Sequence, residues 1–139
     1  MLDFGVKFKG YCSDMTRMLY IGTPNKDELE DFELLLKTIE ECEKQATIKK
    51  KFCELHQLSI ELLGNKAKFF THSLGHGLGL DIHEKPSLHL DEKADIIEDI
   101  PFTIEPGIYL KRYGIRLEDT VIIQNKKLVK LTKSSKKLR

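Results

Sequence analysis

His72-Ser73-Leu74-Gly75-His76-Gly77-Leu78-Gly79-Leu80-Asp81-Ile82-His83-Glu84 is the densest stretch of the chain, holding three of its five histidines and three of its nine glycines. The glycines disfavour a helix here and let backbone approach a site closely. Upstream of it the apolar residues recur at three or four. Ile48, Phe52, Leu55, Leu58, Leu62 and Leu63 outline one amphipathic helix with a stop at Gly64-Asn65. Leu29, Phe32, Leu35, Ile39 and Cys42 outline another, starting near Lys26 with acids crowding its first turn. The stripe from Leu29 to Leu63 reads as core. Further out, Leu2 to Phe8 alternates, Lys9-Gly10 punctuates, and Met15 to Ile21 resumes an apolar run, the pattern of a hairpin. Downstream, Pro86 to Asp99 reads as surface loop, and Pro101–Leu110, Gly114–Ile123 and Leu128–Leu131 read as three strands. Helices in the middle with strands at both ends predict an α+β domain.

Composition bounds this further. The 139 residues are 40% hydrophobic, enough for one core and marginal for two. The formal net charge is +1, which gives no general argument for a nucleic-acid or membrane partner. Seven of the 23 basic residues fall in Lys126–Arg139, and the end from Lys133 reads as a basic, disordered tail. Three cysteines without CxxC spacing argue against a disulfide framework or a cysteine zinc site. With no signal-peptide pattern and no long apolar run, the expected setting is cytoplasmic.

Carboxylates embedded in apolar strands are the informative acids. Asp3 lies between Leu2 and Phe4, Asp14 between Ser13 and Met15, Glu105 between Ile104 and Pro106, and Glu118 between Leu117 and Asp119. A carboxylate buried alone costs several kcal/mol or stays protonated. Taken singly, each has a bland reading as a salt-bridged strand residue, with Arg17 and Arg116 close by. Taken jointly with His76, they suit divalent cations: oxygen-rich ligation with one imidazole fits Mn²⁺, Co²⁺, Fe²⁺ or Zn²⁺, and bridging carboxylates fit two ions about 3.5–4 Å apart. His72 and His76 are four apart, but Ser73 stands where a zincin helix needs Glu, and the glycine run lacks the spacing of a phosphate loop. His56 and His89 read as solvated surface residues.

These motifs resemble a known family. Leu2-Asp3-Phe4-Gly5, Gly10-Tyr11-Cys12-Ser13-Asp14-Met15-Thr16-Arg17, the His72–Glu84 stretch, Thr103-Ile104-Glu105-Pro106-Gly107 and Gly114-Ile115-Arg116-Leu117-Glu118-Asp119 look like the catalytic domain of the Xaa-Pro aminopeptidase and prolidase metallopeptidases. That family shares the pita-bread fold, a curved antiparallel sheet packed with helices, with methionine aminopeptidase and creatinase. The resemblance implies that Asp3 chelates one metal, Asp14 and Glu118 bridge two, and His76 and Glu105 complete the other, with Mn²⁺ the first choice. It implies that a water held between the ions attacks the scissile carbonyl and that Glu105 carries its proton to the leaving nitrogen. His83 matches a histidine that donates to the substrate carbonyl, His72 a substrate-pocket histidine, and Arg116 a support for a ligating carboxylate. The implied substrate is a peptide with proline at its second position.

The resemblance reaches only the C-terminal part of the family's pattern. Residues 1–132 are therefore expected to be an N-terminally truncated catalytic domain, with 133–139 the tail and a homodimer or a complementing N-terminal fragment as partner. A methionine aminopeptidase-like enzyme and a non-catalytic remnant that binds peptide or protein are the alternatives.

Overall fold

The computed structural model describes residues 1–138. The chain opens with four short strands, β1 (Leu2–Phe4), β2 (Lys7–Phe8), β3 (Tyr11–Cys12) and β4 (Met15–Arg17). β2 and β3 form the expected hairpin, closed by Lys9 and Gly10 at φ 49° and 90°, the left-handed backbone of a tight two-residue turn. β1 pairs antiparallel with β4, setting Asp3 opposite Thr16. The expected run to Ile21 stops at Arg17, and Ile21 is almost wholly exposed.

Helix α1 (Lys26–Gln45) begins at Asn25, whose side chain accepts from the Glu28 amide while the Glu28 carboxylate accepts from the Asn25 amide. That reciprocal box satisfies two amide donors at the helix start. Helix α2 (Phe52–Leu63) follows, and a 3₁₀ stretch (Gly64–Phe69) unwinds it at the predicted glycine. Phe32, Leu35, Ile39, Cys42, Phe52, Leu55 and Leu63 are buried, so both apolar stripes face the core. Each such side chain removed from water contributes about 1.5–3 kcal/mol. His56 departs from expectation: it is 5% exposed, because its Nδ1 accepts the Leu74 amide at 2.9 Å and thereby ties α2 to the histidine-rich stretch.

The remaining strands are β5 (His76–Gly77), β6 (Glu84–Ser87), β7 (Phe102–Ile104), β8 (Gly107–Tyr109), β9 (Gly114–Arg116), β10 (Asp119–Gln124) and β11 (Lys127–Lys130). Five of them form an antiparallel sheet in the order β11-β10-β7-β5-β6, and β8 pairs with β9. β6 runs from Glu84 into the stretch read as loop, taking in Pro86 and Ser87. Its Pro86 is tolerated because β6 is an edge strand, where no partner needs the missing amide. The two long strands expected at Pro101–Leu110 and Gly114–Ile123 are each broken, at Glu105-Pro106 and at Leu117-Glu118. At these breaks the chain leaves the five-stranded sheet for the β8–β9 hairpin and returns. α1 packs on β7, β8 and β9, and Ile104, Ile108, Ile115, Leu117 and Val121 complete the core.

The basic end differs from the solvated tail expected from composition. Residues 134–138 carry no helix or strand, yet Lys136 Nζ lies 3.0 Å from Glu43 Oε1 and 2.5 Å from Asp119 Oδ2. Glu43 and Asp119 are 6% and 1% exposed, and buried carboxylates recruit whatever cation can reach them.

Candidate metal centre

Sheet register assembles the site. Asp119 on β10 is opposite Ile104 on β7, so Glu118 and Glu105, one residue outside those strands, emerge at the same sheet end. Gly77 on β5 is opposite Phe102, which brings His76 beside Thr103, and the Thr103 hydroxyl accepts the His76 amide at 3.0 Å. The Glu118 amide donates to the Thr16 carbonyl at 3.2 Å, joining the β1–β4 pair and its Asp3 and Asp14 to the same place. Gly75 makes the approach possible: a Cβ there would lie 2.1 Å from the Thr103 carbonyl oxygen.

Asp14, His76 and Glu118 offer donor atoms all within 4.8 Å of one another. His76 Nε2 is 3.6 Å from Asp14 Oδ2 and 3.3 Å from Glu105 Oε1. His76 Nδ1 lies 3.0 Å from the Gly77 carbonyl, which can only accept, so Nδ1 carries the proton and Nε2 turns to the carboxylates. The Glu118 carboxylate takes the Thr16 hydroxyl at 2.7 Å, and Glu105 takes the Thr103 hydroxyl at 3.0 Å.

The electrostatics of this group are those of crowded anions. Burial first, then the charges of Glu105 and Asp14, push the Glu118 carboxyl up to about 8. Burial and the neighbouring Asp3 likewise raise Asp14. Burial pulls His76 down, but its contacts with Glu105, the Gly77 carbonyl and Asp14 outweigh that and leave it raised. Crowded, buried carboxylates whose charged forms disfavour one another, with a correctly turned imidazole among them, fit a divalent cation, which would repay the desolvation and relieve the repulsion. The donor set suits Mn²⁺, Fe²⁺, Co²⁺ or Zn²⁺.

The other candidates from the sequence surround this cluster. Asp3 stands outside the three-donor group: its side chain is 46% exposed and ion-paired with Arg116 Nη2. Arg116 also donates to the Thr16 hydroxyl at 3.1 Å and the Tyr109 hydroxyl at 3.1 Å, and lies 4.0 Å from Glu105. His72 Nδ1 donates to the Ser73 carbonyl at 2.7 Å, and Nε2 meets the Tyr109 hydroxyl at 2.8 Å. The exposed His83 ring lies 4.3 Å, centre to centre, from that of His76. His72, His76, His83, Glu105 and Arg116 line one cleft of about 610 Å³. Thr16, Thr103 and Tyr109 were not foreseen. Strand alternation was the available signal for the threonines, since Thr103 and Glu105, or Asp14 and Thr16, share a face at period two.

Fold and site together describe an α+β protein with a group of donors that could hold a divalent cation where its strands converge. Residues 1–125 match the model of metallopeptidase family M24, and the chain belongs to that family. It is 35% identical to the Xaa-Pro dipeptidase of Pyrococcus furiosus across 99% of this chain and 40% of that protein. Among solved structures, the prolidase of Pyrococcus horikoshii OT3 superposes with TM-score 0.95 at 34% identity, covering 99% of this chain and 40% of that one. The X-Pro aminopeptidase of Thermotoga maritima superposes with TM-score 0.93 at 34% identity, covering 98% and 40%. The fold is the pita-bread fold, and the chain spans about 40% of the length of these relatives. Among the described residues no helix is long and apolar enough to cross a membrane.

Proposed function

We propose that this centre hydrolyses the bond between an N-terminal residue and a following proline, using two divalent cations, with Mn²⁺ the first choice. The observation that carries the reading is the meeting of Asp14, His76 and Glu118 donors within 4.8 Å, in a chain whose relatives are named for Xaa-Pro dipeptides and X-Pro peptides. Asp14, His76 and Glu118 would hold the metal, with Glu105 beside His76 and Asp3 joining once it exchanges Arg116 for a cation. Bound divalent ions supply a water of lowered pKa and polarise a carbonyl. The chain's own groups do the rest. Glu105, with one oxygen on the Thr103 hydroxyl, carries a proton from the attacking water to the leaving proline nitrogen. His83, exposed at the cleft beside His76, donates to the substrate carbonyl as negative charge grows on it. His72, held by the Ser73 carbonyl and Tyr109, shapes the pocket for the residue that follows the cut.

Release of alanine from Ala-Pro and from longer Ala-Pro peptides, with and without Mn²⁺, tests this. Mn²⁺-dependent release from either supports the reading, and comparison of the two assigns dipeptidase or aminopeptidase action. Faster cleavage of Met-Ala than of Ala-Pro would replace it with a methionine aminopeptidase activity. A folded sample that takes up no Mn²⁺ would refute the metal site.

A further inference from the structure

We propose that the carboxyl-terminal segment is a positioning device for Glu118: Lys136 and the Ser134 carbonyl hold Asp119 and Arg17, which in turn fix the backbone bearing the Glu118 carboxylate. This rests on the reading of Glu118 as a metal ligand.

Both backbone groups of Glu118 are held by β4. Its amide donates to the Thr16 carbonyl at 3.2 Å, and its carbonyl accepts from Arg17 Nη1. Arg17 is itself 7% exposed and fully committed. Nη1 also reaches the Thr16 carbonyl at 2.9 Å, Nη2 reaches Asp119 Oδ1 at 2.5 Å, and Nε and Nη2 converge on the Ser134 carbonyl at 3.1 and 2.8 Å. All five guanidinium donors are thereby used, two of them on the tail. Asp119, the next residue after Glu118, is held from its other oxygen by Lys136 Nζ at 2.5 Å. Lys136 continues to Glu43 on α1 at 3.0 Å, and Lys130 neutralises the second Glu43 oxygen.

The chemistry separates this network from a generic surface latch. Arg17, Glu43 and Asp119 are each nine-tenths or more buried, so each depends on a complete set of partners. The chain of contacts ends on the carbonyl of a residue whose side chain must hold its place within a fraction of an ångström to bind an ion. Groups that orient a ligand from outside the coordination shell typically govern metal affinity by about 10–100-fold. Elsewhere in the molecule, the comparable bridge between Lys66 and buried Asp31, 2.8 Å long, touches no residue of the centre.

The test compares the whole chain with K136M, K136R and K66M by two readouts. Hydrogen exchange at the Glu118 amide is followed in metal-free protein, and Mn²⁺ affinity by titration calorimetry. K136M is expected to speed that exchange and weaken Mn²⁺ binding about tenfold, K136R to restore both, and K66M to lower the melting temperature while leaving both within about twofold. A K136M protein that melts earlier but keeps Glu118 exchange and Mn²⁺ affinity unchanged overturns the proposal, as does a K66M protein that loses as much affinity. If the unsubstituted chain binds no Mn²⁺ while K136M still speeds exchange at Glu118, the metal assignment falls and the positioning contact stands. If the unsubstituted chain binds no Mn²⁺ and K136M leaves exchange at Glu118 unchanged, both fall.

Discussion

Glu118→Gln turns the electrostatics of the centre into a measurable slope. In the folded, metal-free chain the Glu118 carboxyl is raised from its ordinary 4.5 to about 8, chiefly by burial and by Glu105. An acid whose folded pKa lies above its unfolded one binds more protons when folded across that interval, so stability falls as pH rises through it and is level below it. From 4.5 to about 8, at about 1.4 kcal/mol per pH unit, the loss comes to about 5 kcal/mol. Glutamine stays neutral, and its amide oxygen keeps the Thr16 hydroxyl that Glu118 takes at 2.7 Å. Urea unfolding of both proteins in the presence of a chelator should therefore give similar stabilities near pH 4.5 and a difference in favour of Gln that grows toward pH 8. Saturating Mn²⁺ should act oppositely, adding about 2.7 kcal/mol to the unsubstituted chain at a hundredfold excess over Kd and little to the variant. Parallel stability curves from pH 5 to 8 would refute the argument, because Glu118 would then be ionised in the folded state without cost.

The other predictions concern single elements. Gly75→Ala should cost about 1–3 kcal/mol in denaturant unfolding and weaken Mn²⁺ binding, since its Cβ would meet the Thr103 carbonyl oxygen at 2.1 Å; a neutral result would mean that β5 and β7 can separate freely. Leu35→Ala, at 0% exposure on α1, should cost about 2–5 kcal/mol, and a loss under 1 kcal/mol would contradict the placement of that stripe. His56 is lowered to about 4, first by burial and then by His89 and His72. A histidine depressed in the fold gives stability that is present above its ordinary 6.5 and lost as pH falls toward 4, about 3 kcal/mol in all; an NMR titration midpoint for His56 near 6.5 would rule this out. Because that acid-side slope opposes the Glu118 slope, the Gln variant should gain stability relative to the unsubstituted chain between about pH 4.5 and 6.5.

Periodicity made the elements legible and left their breaks hidden. Both helices follow from three-or-four spacing and end at features visible in the chain, the Asn25–Glu28 box and Gly64. The strands were legible as apolar runs, but nothing in hydrophobicity alone marks where a run changes partner. Glu105 and Glu118 sit at such changes: the Glu105 amide donates to the Leu74 carbonyl at 2.8 Å and the Glu118 amide to the Thr16 carbonyl at 3.2 Å, each across elements far apart in sequence. His56 was misread for a related reason. Its burial depends on one amide eighteen residues away, a contact that no helical pattern encodes. The basic tail was misread because composition counts its charges, while its placement depends on two buried acids, Glu43 and Asp119.

The same long-range register explains why the candidate ligands are unequal. Asp14, His76 and Glu118 are carried where β4, β5 and β10 are held from both sides, by Thr120 on the Asp14 carbonyl, Thr103 on the His76 amide, and Thr16 with Arg17 on Glu118. Their mutual repulsion is sustained because moving any one means breaking a sheet contact. Asp3 lies on β1, whose three residues are all exposed and whose partner in the sheets is β4 alone, so it is free to relax onto Arg116. The consequence is an order of binding. The three pinned donors offer a cation its first site with little rearrangement, whereas recruiting Asp3 requires breaking an ion pair with a guanidinium that also serves Tyr109 and Thr16. On the proposed two-cation reading, the second ion has to displace that guanidinium from the Asp3 carboxylate, so Mn²⁺ titration should show a tighter and a weaker step. Asp3→Asn should abolish the weaker step and spare the tighter one; loss of both together would show that Asp3 belongs to the first site after all.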